Sequence, residues 1–143
     1  MTASAQDGKL VDTVVVNMRE DDLRALQVAV PDIRDLVNLV DIKSIGYLSD
    51  GLKVKGYLVV PRQGVRLPCV IFNRGGNREF GALDDRVAAL LLARIASWGY
   101  VVVASQYRGN AGGGGEGGVW RKGCQRRAEL ADVAQVIAAS RFN

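Results

Sequence analysis

The sequence predicts an α/β fold in which an antiparallel hairpin leads into a parallel strand–helix–strand unit. Two strand-like runs, residues 40–48 and 52–60, are joined by Ser49-Asp50-Gly51, a turn that favours a hairpin. Two shorter apolar runs, residues 67–72 and 100–104, enclose a stretch with helical periodicity. A strand, a helix and a second strand with short links form a right-handed crossover, so the last two strands are expected to be parallel.

The first part of the chain predicts short elements and carries no chemical signal. Asn17 is the expected N-cap of the first helix, because acidic residues follow it at the start of the helical stretch. We therefore divide the chain into a lead-in with short helices, residues 1–39, and a partial α/β domain, residues 40–143. The lead-in is expected to hold a flexible start, a short strand and two helices separated by a proline: residues 1–11, 14–16, about 20–30 and 32–38.

The elements of the α/β domain follow from their periodicity. Apolar residues alternate with lysines through residues 52–60, which predicts a strand with one buried face. Residues 67–72 are typical of a fully buried strand, so Cys69 is expected in the core as a small hydrophobic residue. Gly99 is a suitable end for the helix before the next strand. Apolar residues at helical spacing define that helix and a last one over residues 127–139: Leu83, Val87, Leu90, Leu91, Ile95 and Trp98, then Leu130, Val133, Val136 and Ile137.

The composition is that of one globular domain. Apolar residues make up 48% of the chain and charged residues 24%, which excludes disorder as the default state. The net charge of +4 is too small to indicate nucleic acid as a partner, and no apolar run is long enough to predict a membrane span. Two cysteines, Cys69 and Cys124, indicate neither a disulfide framework nor a metal site. We expect no metal, no cofactor and a reduced, cytoplasmic compartment.

The chain contains no histidine. Histidine has the side-chain pKa nearest neutrality, and it is therefore the commonest general acid and base in enzymes. A Ser-His-Asp or Cys-His site cannot be completed from these residues alone.

Two glycine-bearing loops follow the two strands that are predicted to be parallel. The first loop covers residues 72–81 and begins Phe72-Asn73-Arg74-Gly75-Gly76-Asn77, and the second covers residues 106–115. Ligands of open α/β sheets bind outside the carboxyl ends of the strands. Both loops are therefore expected at the carboxyl ends of the parallel strands, where a functional site would form.

Several segments, in their order and spacing, resemble one family of enzymes. They are the run from Tyr47 to Leu58, then Arg74-Gly75-Gly76-Asn77, Trp98-Gly99-Tyr100 and Tyr107-Arg108-Gly109. Together they are similar to the catalytic domain of prolyl-oligopeptidase-like serine hydrolases, which have the α/β-hydrolase fold, and the similarity extends over residues 40–139. The resemblance implies the N-terminal part of an α/β-hydrolase sheet. It also implies a parent enzyme that hydrolyses a peptide or ester substrate through an acyl-enzyme.

The resemblance also implies a role for each loop. The first loop would help to form an oxyanion hole, with Gly75, Gly76 and Asn77 as candidates for the main chain that faces the developing charge. Glycine suits such a loop because it allows close approach and positive φ angles. Arg74 stands where the family usually has histidine, and Asn77 where it usually has proline. A tight strand-to-helix turn is the alternative explanation of the two glycines. The resemblance gives a second set of residues a role in shaping the site: Arg74, Tyr107, Arg108 and Gly109.

The nucleophile elbow of that family, Gly-x-Ser-x-Gly, does not occur in these 143 residues. We therefore expect a portion of the domain that is truncated before the nucleophile strand, contains none of the catalytic residues and is inactive alone. In the family's sheet, the nucleophile strand lies beside the strand at residues 67–72. Without that neighbour, residues 67–72 would form an exposed sheet edge that favours self-association or pairing with a complementing chain.

Other readings of the sequence stay open. A non-catalytic α/β module could use the same elements for binding or for complementing another chain. Gly112-x-Gly114-x-x-Gly117 satisfies a dinucleotide fingerprint, but no acidic residue ends a following strand to hold a ribose. The basic residues around Trp120 could contact phosphates, although a solvated surface explains them as well. Asp84 and Asp85 are explained by helix capping without catalysis.

Overall fold

The computed structural model describes residues 8–49, 51–75 and 81–106. These residues form one five-stranded mixed sheet with helices between the strands. We call α3, the π-helical turn and α4 together the crossover helix. The elements in chain order are β1 (Leu10–Val15), α1 (Glu20–Gln27), α2 (Ile33–Leu39), β2 (Val40–Ser49), β3 (Leu52–Pro61), β4 (Cys69–Asn73), α3 (Asp85–Val87), the π-helical turn (Ala88–Leu92), α4 (Ala93–Ser97) and β5 (Val101–Ser105).

The strand order in the sheet is β1-β2-β3-β5-β4. The predicted hairpin is confirmed, because β2 and β3 pair antiparallel along their whole length, from Val40 with Pro61 to Ser49 with Leu52. The predicted parallel unit is confirmed as well, since β4 and β5 pair in parallel. β5 inserts between β3 and β4, so β4 lies at one edge of the described sheet and β1 at the other.

The helices cover one face of the described sheet. Ile33 and Leu36 of α2 pack against side chains of the crossover helix and the sheet, and all of them are buried. Small residues of the crossover helix let it lie close to the strands. The members of this first apolar cluster are Ile33, Leu36, Val40, Ile42, Tyr57, Val59, Leu83, Ala88, Ala89, Leu92, Ala93, Ala96, Val102 and Ala104.

A second apolar cluster lies on the opposite face of the sheet. Within the described ranges it is built from strand residues, with Leu67 of the connection before β4 packed beside them. Its members are buried to the same degree as those of the first cluster: Ile45, Tyr47, Val54, Leu58, Val101 and Val103. The strands of the sheet therefore bury apolar side chains on both faces, as expected for the interior of a layered α/β protein.

The crossover helix begins at a capped end and contains a widened turn. The side chain of Asp84 accepts a hydrogen bond of 2.8 Å from the Val87 amide, which confirms the predicted capping role. Gly99 has a φ of 93° and follows the end of the helix, as predicted. Leu91 and Trp98 were expected on the apolar face, but both are exposed. The π-helical turn shifts the periodicity at Leu91, and Trp98 lies beyond the last helical residue.

Two further sequence predictions are corrected by the position of the elements. The predicted full burial of β4 was wrong: β4 is only partly buried and Cys69 is exposed, because β4 lies at the edge of the described sheet with one strand neighbour. Partial burial still raises the pKa of the Cys69 thiol. α1 begins at Glu20 as predicted, but Arg19 occupies its N-cap and no side chain caps the helix, so the role given to Asn17 was wrong.

Ion pairs tie the N-terminal helices to the crossover helix. Arg86 donates two hydrogen bonds to Asp22 of α1, at 2.7 and 3.1 Å. Arg94 donates two hydrogen bonds of 2.7 Å to Asp32, the residue that precedes α2. Arg19 and Arg86 hold the pKa of Asp22 below its usual range, and Arg94 does the same for the pKa of Asp32. The lead-in therefore packs on the sheet's helical layer through both charge and apolar contact.

Several predictions fall outside the described residues. They concern the last helix over residues 127–139, the glycine tract at residues 112–118, the basic cluster beside Trp120, and Cys124. Within the described ranges, no helix is long and apolar enough to cross a membrane. The same ranges contain no group of three or more His, Cys, Asp or Glu side chains that could hold a metal ion.

Candidate functional site

The candidate site lies at the carboxyl ends of the parallel strands β4 and β5. Asn73 and Ser105, the last residues of these parallel strands, are paired in register. The two glycine-bearing loops therefore start side by side, as the sequence predicted. On the other side of β5 from β4, the antiparallel strand β3 pairs with the end of β5. Gly56 pairs with Ser105, and the Gln106 amide donates a hydrogen bond to the Lys55 carbonyl.

The structure describes two of the predicted site residues. Arg74 and Gly75 follow β4 directly. The other candidates lie outside the described residues, so their roles stay predictions: Gly76, Asn77, Tyr107, Arg108 and Gly109.

Arg74 is buried at the base of the first loop, with only 2% of its surface exposed. Its Nη1 atom lies 4.0 Å from the position that a Cβ atom on Gly81 would take. The guanidinium thus lies against the far end of the loop. Burial of a charged group is costly unless the group is paired or hydrogen-bonded, so the surroundings of Arg74 must compensate its charge. This placement suits the site-shaping role that the resemblance implies.

The glycine that the first loop needs for its own geometry is Gly81. Its φ is 72°, and a Cβ atom there would lie less than 3.0 Å from the Gly75 carbonyl oxygen. Gly75 itself has no positive φ, and a Cβ added to it would meet nothing within 4 Å. Sequence analysis assigned close approach and positive φ to the Gly75-Gly76 pair. Within the described residues those properties belong to Gly81, while Gly75 leaves open space beside its Cα atom.

A buried chain of hydroxyl groups supports the end of β5. The Ser105 hydroxyl donates to the Gln106 carbonyl at 2.7 Å. Tyr47 and Ser105 oxygens are 2.6 Å apart, and because Ser105 has already used its one proton, Tyr47 is the donor. β3 lies between β2, which carries Tyr47, and β5, which carries Ser105, and Gly56 of β3 has no side chain to separate the two hydroxyl groups. The Ser105 hydroxyl therefore serves as a structural link and is not a free nucleophile.

Gln106 is the functional candidate that sequence reasoning missed. It is 1% exposed, and its side-chain amide bonds to both main-chain groups of Leu83: Oε1 accepts from the Leu83 nitrogen at 3.3 Å, and Nε2 donates to the Leu83 oxygen. The available signal was a polar residue directly after an apolar strand and directly before Tyr107. Its partner is 23 residues away in sequence, so no local pattern identifies the contact.

Tyr57 and Asp85 join the sheet to the start of the crossover helix. The Tyr57 hydroxyl donates a hydrogen bond of 2.8 Å to Asp85 Oδ1. Burial, together with this carboxylate, raises the pKa of Tyr57 well above its usual value. The tyrosine therefore remains a donor at neutral pH, and Asp85 is engaged in holding the helix. Within the described ranges, the edge supplies main chain and positioning groups but no paired nucleophile and base.

The comparisons with known proteins bear on this edge of the sheet. No family model matches the sequence. A stretch of 76 residues, 53% of this chain, is 40% identical to the protein described as uncharacterized peptidase YtmA of Bacillus subtilis (strain 168). The match covers 28% of that protein, so the chain spans little more than a quarter of this relative's length.

Two solved structures resemble the chain over nearly its whole length. The G231F mutant of the rice cell wall degrading esterase LipA from Xanthomonas oryzae superposes with a TM-score of 0.62 at 15% identity, over 94% of this chain and 38% of that one. A ligand-bound form of LipA gives a TM-score of 0.60 at 17% identity, with the same coverage. The chain has the fold of part of an esterase. At this identity the likeness concerns the fold alone.

Proposed function

We propose that this chain is the part of a serine hydrolase catalytic domain that supplies the oxyanion loop. The parent enzyme would be similar to prolyl-oligopeptidase-like hydrolases and would cleave a peptide or ester bond through an acyl-enzyme. The nucleophilic serine, the acid and the histidine would come from residues outside these 143, since the chain has no histidine and no elbow motif. The printed names of the similar proteins, a peptidase and an esterase, support this proposal.

The observation that carries the proposal is the open space at Gly75. This residue follows a parallel strand at the carboxyl edge of the sheet, where α/β proteins bind ligands. Acyl transfer places negative charge on an oxygen, and main-chain N–H groups stabilise that charge only if the oxygen can approach them closely. No described residue lies within 4 Å of a Cβ at Gly75 and its φ is not positive, so the described part of the fold does not require glycine there. Room for a substrate oxygen explains why it lacks a side chain.

The free edge of β4 is the proposed place for the strand that carries the nucleophile. β4 pairs with β5 on one side, and no strand of the described sheet lies on its other side. A parallel strand added there would end beside Arg74 and Gly75, so a serine after that strand would face the first loop. In the absence of that strand, the edge would pair with a complementing chain or with a second copy.

The first experiment tests whether the missing chemistry exists. The DNA that encodes the chain is sequenced beyond codon 143 and translated in all three frames. The protein product of the whole reading frame and the 143-residue chain are then treated with a serine-reactive fluorophosphonate probe. We expect a Gly-x-Ser-x-Gly motif followed by Asp and His, and labelling of the larger product alone. The absence of the motif in every frame would overturn the proposal, as would equal labelling of the 143-residue chain.

A second experiment addresses Gly75 directly. In the larger product, Gly75→Ala is expected to lower kcat for an ester substrate by about tenfold or more, because the methyl group occupies the space proposed for the oxyanion. The midpoint of thermal unfolding should stay unchanged, since the added Cβ meets none of the described residues within 4 Å. Unchanged kcat in a stably folded variant would favour the turn interpretation of the two glycines.

The second candidate function is a non-catalytic module that complements another chain. It is favoured by one observation, the absence of histidine from a chain that otherwise forms the edge of a hydrolase-like sheet. Under this alternative, no reading frame encodes an elbow, and the chain binds a partner strand along β4. Protection of the β4 amides from hydrogen exchange on adding the partner would distinguish this case.

A further inference from the structure

Each of the four polar atoms of Gln106 makes a hydrogen bond. Its amide nitrogen donates to the Lys55 carbonyl at 2.8 Å, and its own carbonyl accepts from the Ser105 hydroxyl at 2.7 Å. Its side chain exchanges two hydrogen bonds with the nitrogen and the oxygen of Leu83, as two opposite residues on antiparallel strands do. A buried primary amide with both of its ends satisfied is a specific contact, because neither an apolar nor a charged side chain reproduces it.

The contact fixes the far end of the first loop. Leu83 lies two residues after Gly81, and Gly81 packs against the Gly75 carbonyl. At the other end, the β4–β5 ladder holds the loop up to Asn73. Residues 81–83 belong to no helix or strand, so no ladder of main-chain hydrogen bonds positions them. The Gln106 side chain supplies two of the hydrogen bonds that they lack.

We propose that Gln106 is a positioning residue for the oxyanion loop, acting through Leu83 and Gly81 on the main chain at Gly75. This inference rests on the function proposed above. Gln106 touches no reacting atom in this scheme. Its side chain instead sets the distance between the end of β5 and the first loop, and displacements of about 1 Å in such positions reduce turnover strongly.

Glutamate at this position gives a sharp test. The carboxylate of Gln106→Glu has no proton to donate, so it would face the Leu83 carbonyl as a second acceptor. Once protonated, the same side chain regains one donor and one acceptor and is nearly isosteric with glutamine. The ordinary pKa of glutamate is about 4.3, and burial raises it, so protonation is expected in mildly acidic solution. Gln106→Leu cannot be rescued in this way.

The first readout is hydrogen exchange of the Leu83 amide, followed by NMR in the 143-residue chain and corrected for intrinsic rates. At pH 7.5, exchange should be about tenfold faster in Gln106→Leu than in the unmodified chain. In Gln106→Glu the increase should be smaller, because the carboxylate still accepts from the Leu83 amide but repels the Leu83 carbonyl. At pH 5 the protection should return in Gln106→Glu alone. Gln63→Glu, an exposed position on the connection between β3 and β4, is the matched control and should behave as the unmodified chain does. Equal protection of the Leu83 amide in all four proteins would show that the Gln106 side chain does not hold Leu83.

The second readout is catalysis by the product of the whole reading frame. Gln106→Leu should lower kcat by about 10- to 100-fold with little change in KM, and the kcat of Gln106→Glu relative to the unmodified enzyme should rise as the pH falls from 7.5 to 5. An unmodified enzyme that is active, together with variants that retain its kcat, would refute the positioning role and leave the proposed function intact. An inactive unmodified product would instead refute the proposed function, and the exchange data would still decide whether Gln106 holds Leu83.

Discussion

Gly81 shows how one residue determines the shape of a loop. It combines a positive φ with close contact to the Gly75 carbonyl, so its replacement by alanine introduces two separate costs. The left-handed conformation costs a residue with a Cβ atom about 1–2 kcal/mol, and overpacking adds about 1–3 kcal/mol. We expect Gly81→Ala to lower the free energy of unfolding by the sum of both, measured by urea denaturation.

Gly51 is the matched control for this substitution. Its φ of 75° is nearly the same, but a Cβ added there meets none of the described residues within 4 Å. Gly51→Ala should therefore show the backbone cost alone. Equal losses in the two variants would mean that the loop moves away from the added methyl group and that the contact with Gly75 does not constrain it.

The residue scale is also where sequence reasoning reached least far. The Gly75-Gly76 pair stood out because its motif is local, and the structure does place Gly75 at the predicted edge. The need for glycine at position 81 depends on which carbonyl the folded loop brings against it. The importance of Gln106 depends in the same way on Leu83, a residue from the other side of the crossover helix. Contacts of this kind arise from the fold and leave no periodic pattern in the sequence.

At the scale of elements, the docking of α1 and α2 depends on charge. Hydrogen bonds from Arg19 and Arg86 lower the pKa of Asp22, and those from Arg94 lower the pKa of Asp32. A carboxylate with a lowered pKa stabilises the folded state above its ordinary value of about 3.9, and this contribution is lost as the pH falls through the lowered value. We expect the amides of residues 20–39 to lose protection from hydrogen exchange below about pH 4, before the sheet does.

Arg94→Gln should reproduce this loosening at neutral pH, seen as faster cleavage within residues 20–39 by thermolysin, which cleaves beside apolar residues that neither variant changes. Arg24→Gln is the matched control, because Arg24 pairs with Glu20 inside the same helix and joins no second element. The difference between Arg94→Gln and the unmodified chain should shrink in high salt, because salt screens the exposed Arg94–Asp32 pair that only the unmodified chain has. Similar cleavage rates for the two variants would show that apolar packing of Ile33 and Leu36 alone holds the helices.

Most elements were predictable because their signals are local. The hairpin turn, the helix cap at Asp84 and the glycine after α4 are each specified within a few residues, and the structure confirms all three. The partial burial of β4 was not predictable from its composition. An edge strand and a central strand can have the same apolar sequence, and the difference is made by the neighbours that the chain order provides.

At the scale of the whole molecule, the two faces of the sheet differ in what covers them. The described helices all contribute to the first apolar cluster, and the second contains strand side chains. Residues 107–143 include the predicted apolar helix over 127–139, and we expect them to be required for burial of the second cluster. A chain that ends at Gln106 should bind the dye ANS and self-associate, whereas the full chain should do so much less. A monomeric, cooperatively unfolding chain of 106 residues would contradict this expectation.

The strand order also determines when the sheet can be completed during synthesis. β4 is made before β5, yet its only strand neighbour in the described sheet is β5. β3 likewise has no partner on its second side until β5 is made. In a nascent chain that ends before Val101, both β3 and β4 therefore lack this neighbour. The arrival of five residues, Val101–Ser105, satisfies both edges at once. The ribosome must therefore deliver almost all of the described chain before two of the five strands, β4 and β5, can join the sheet.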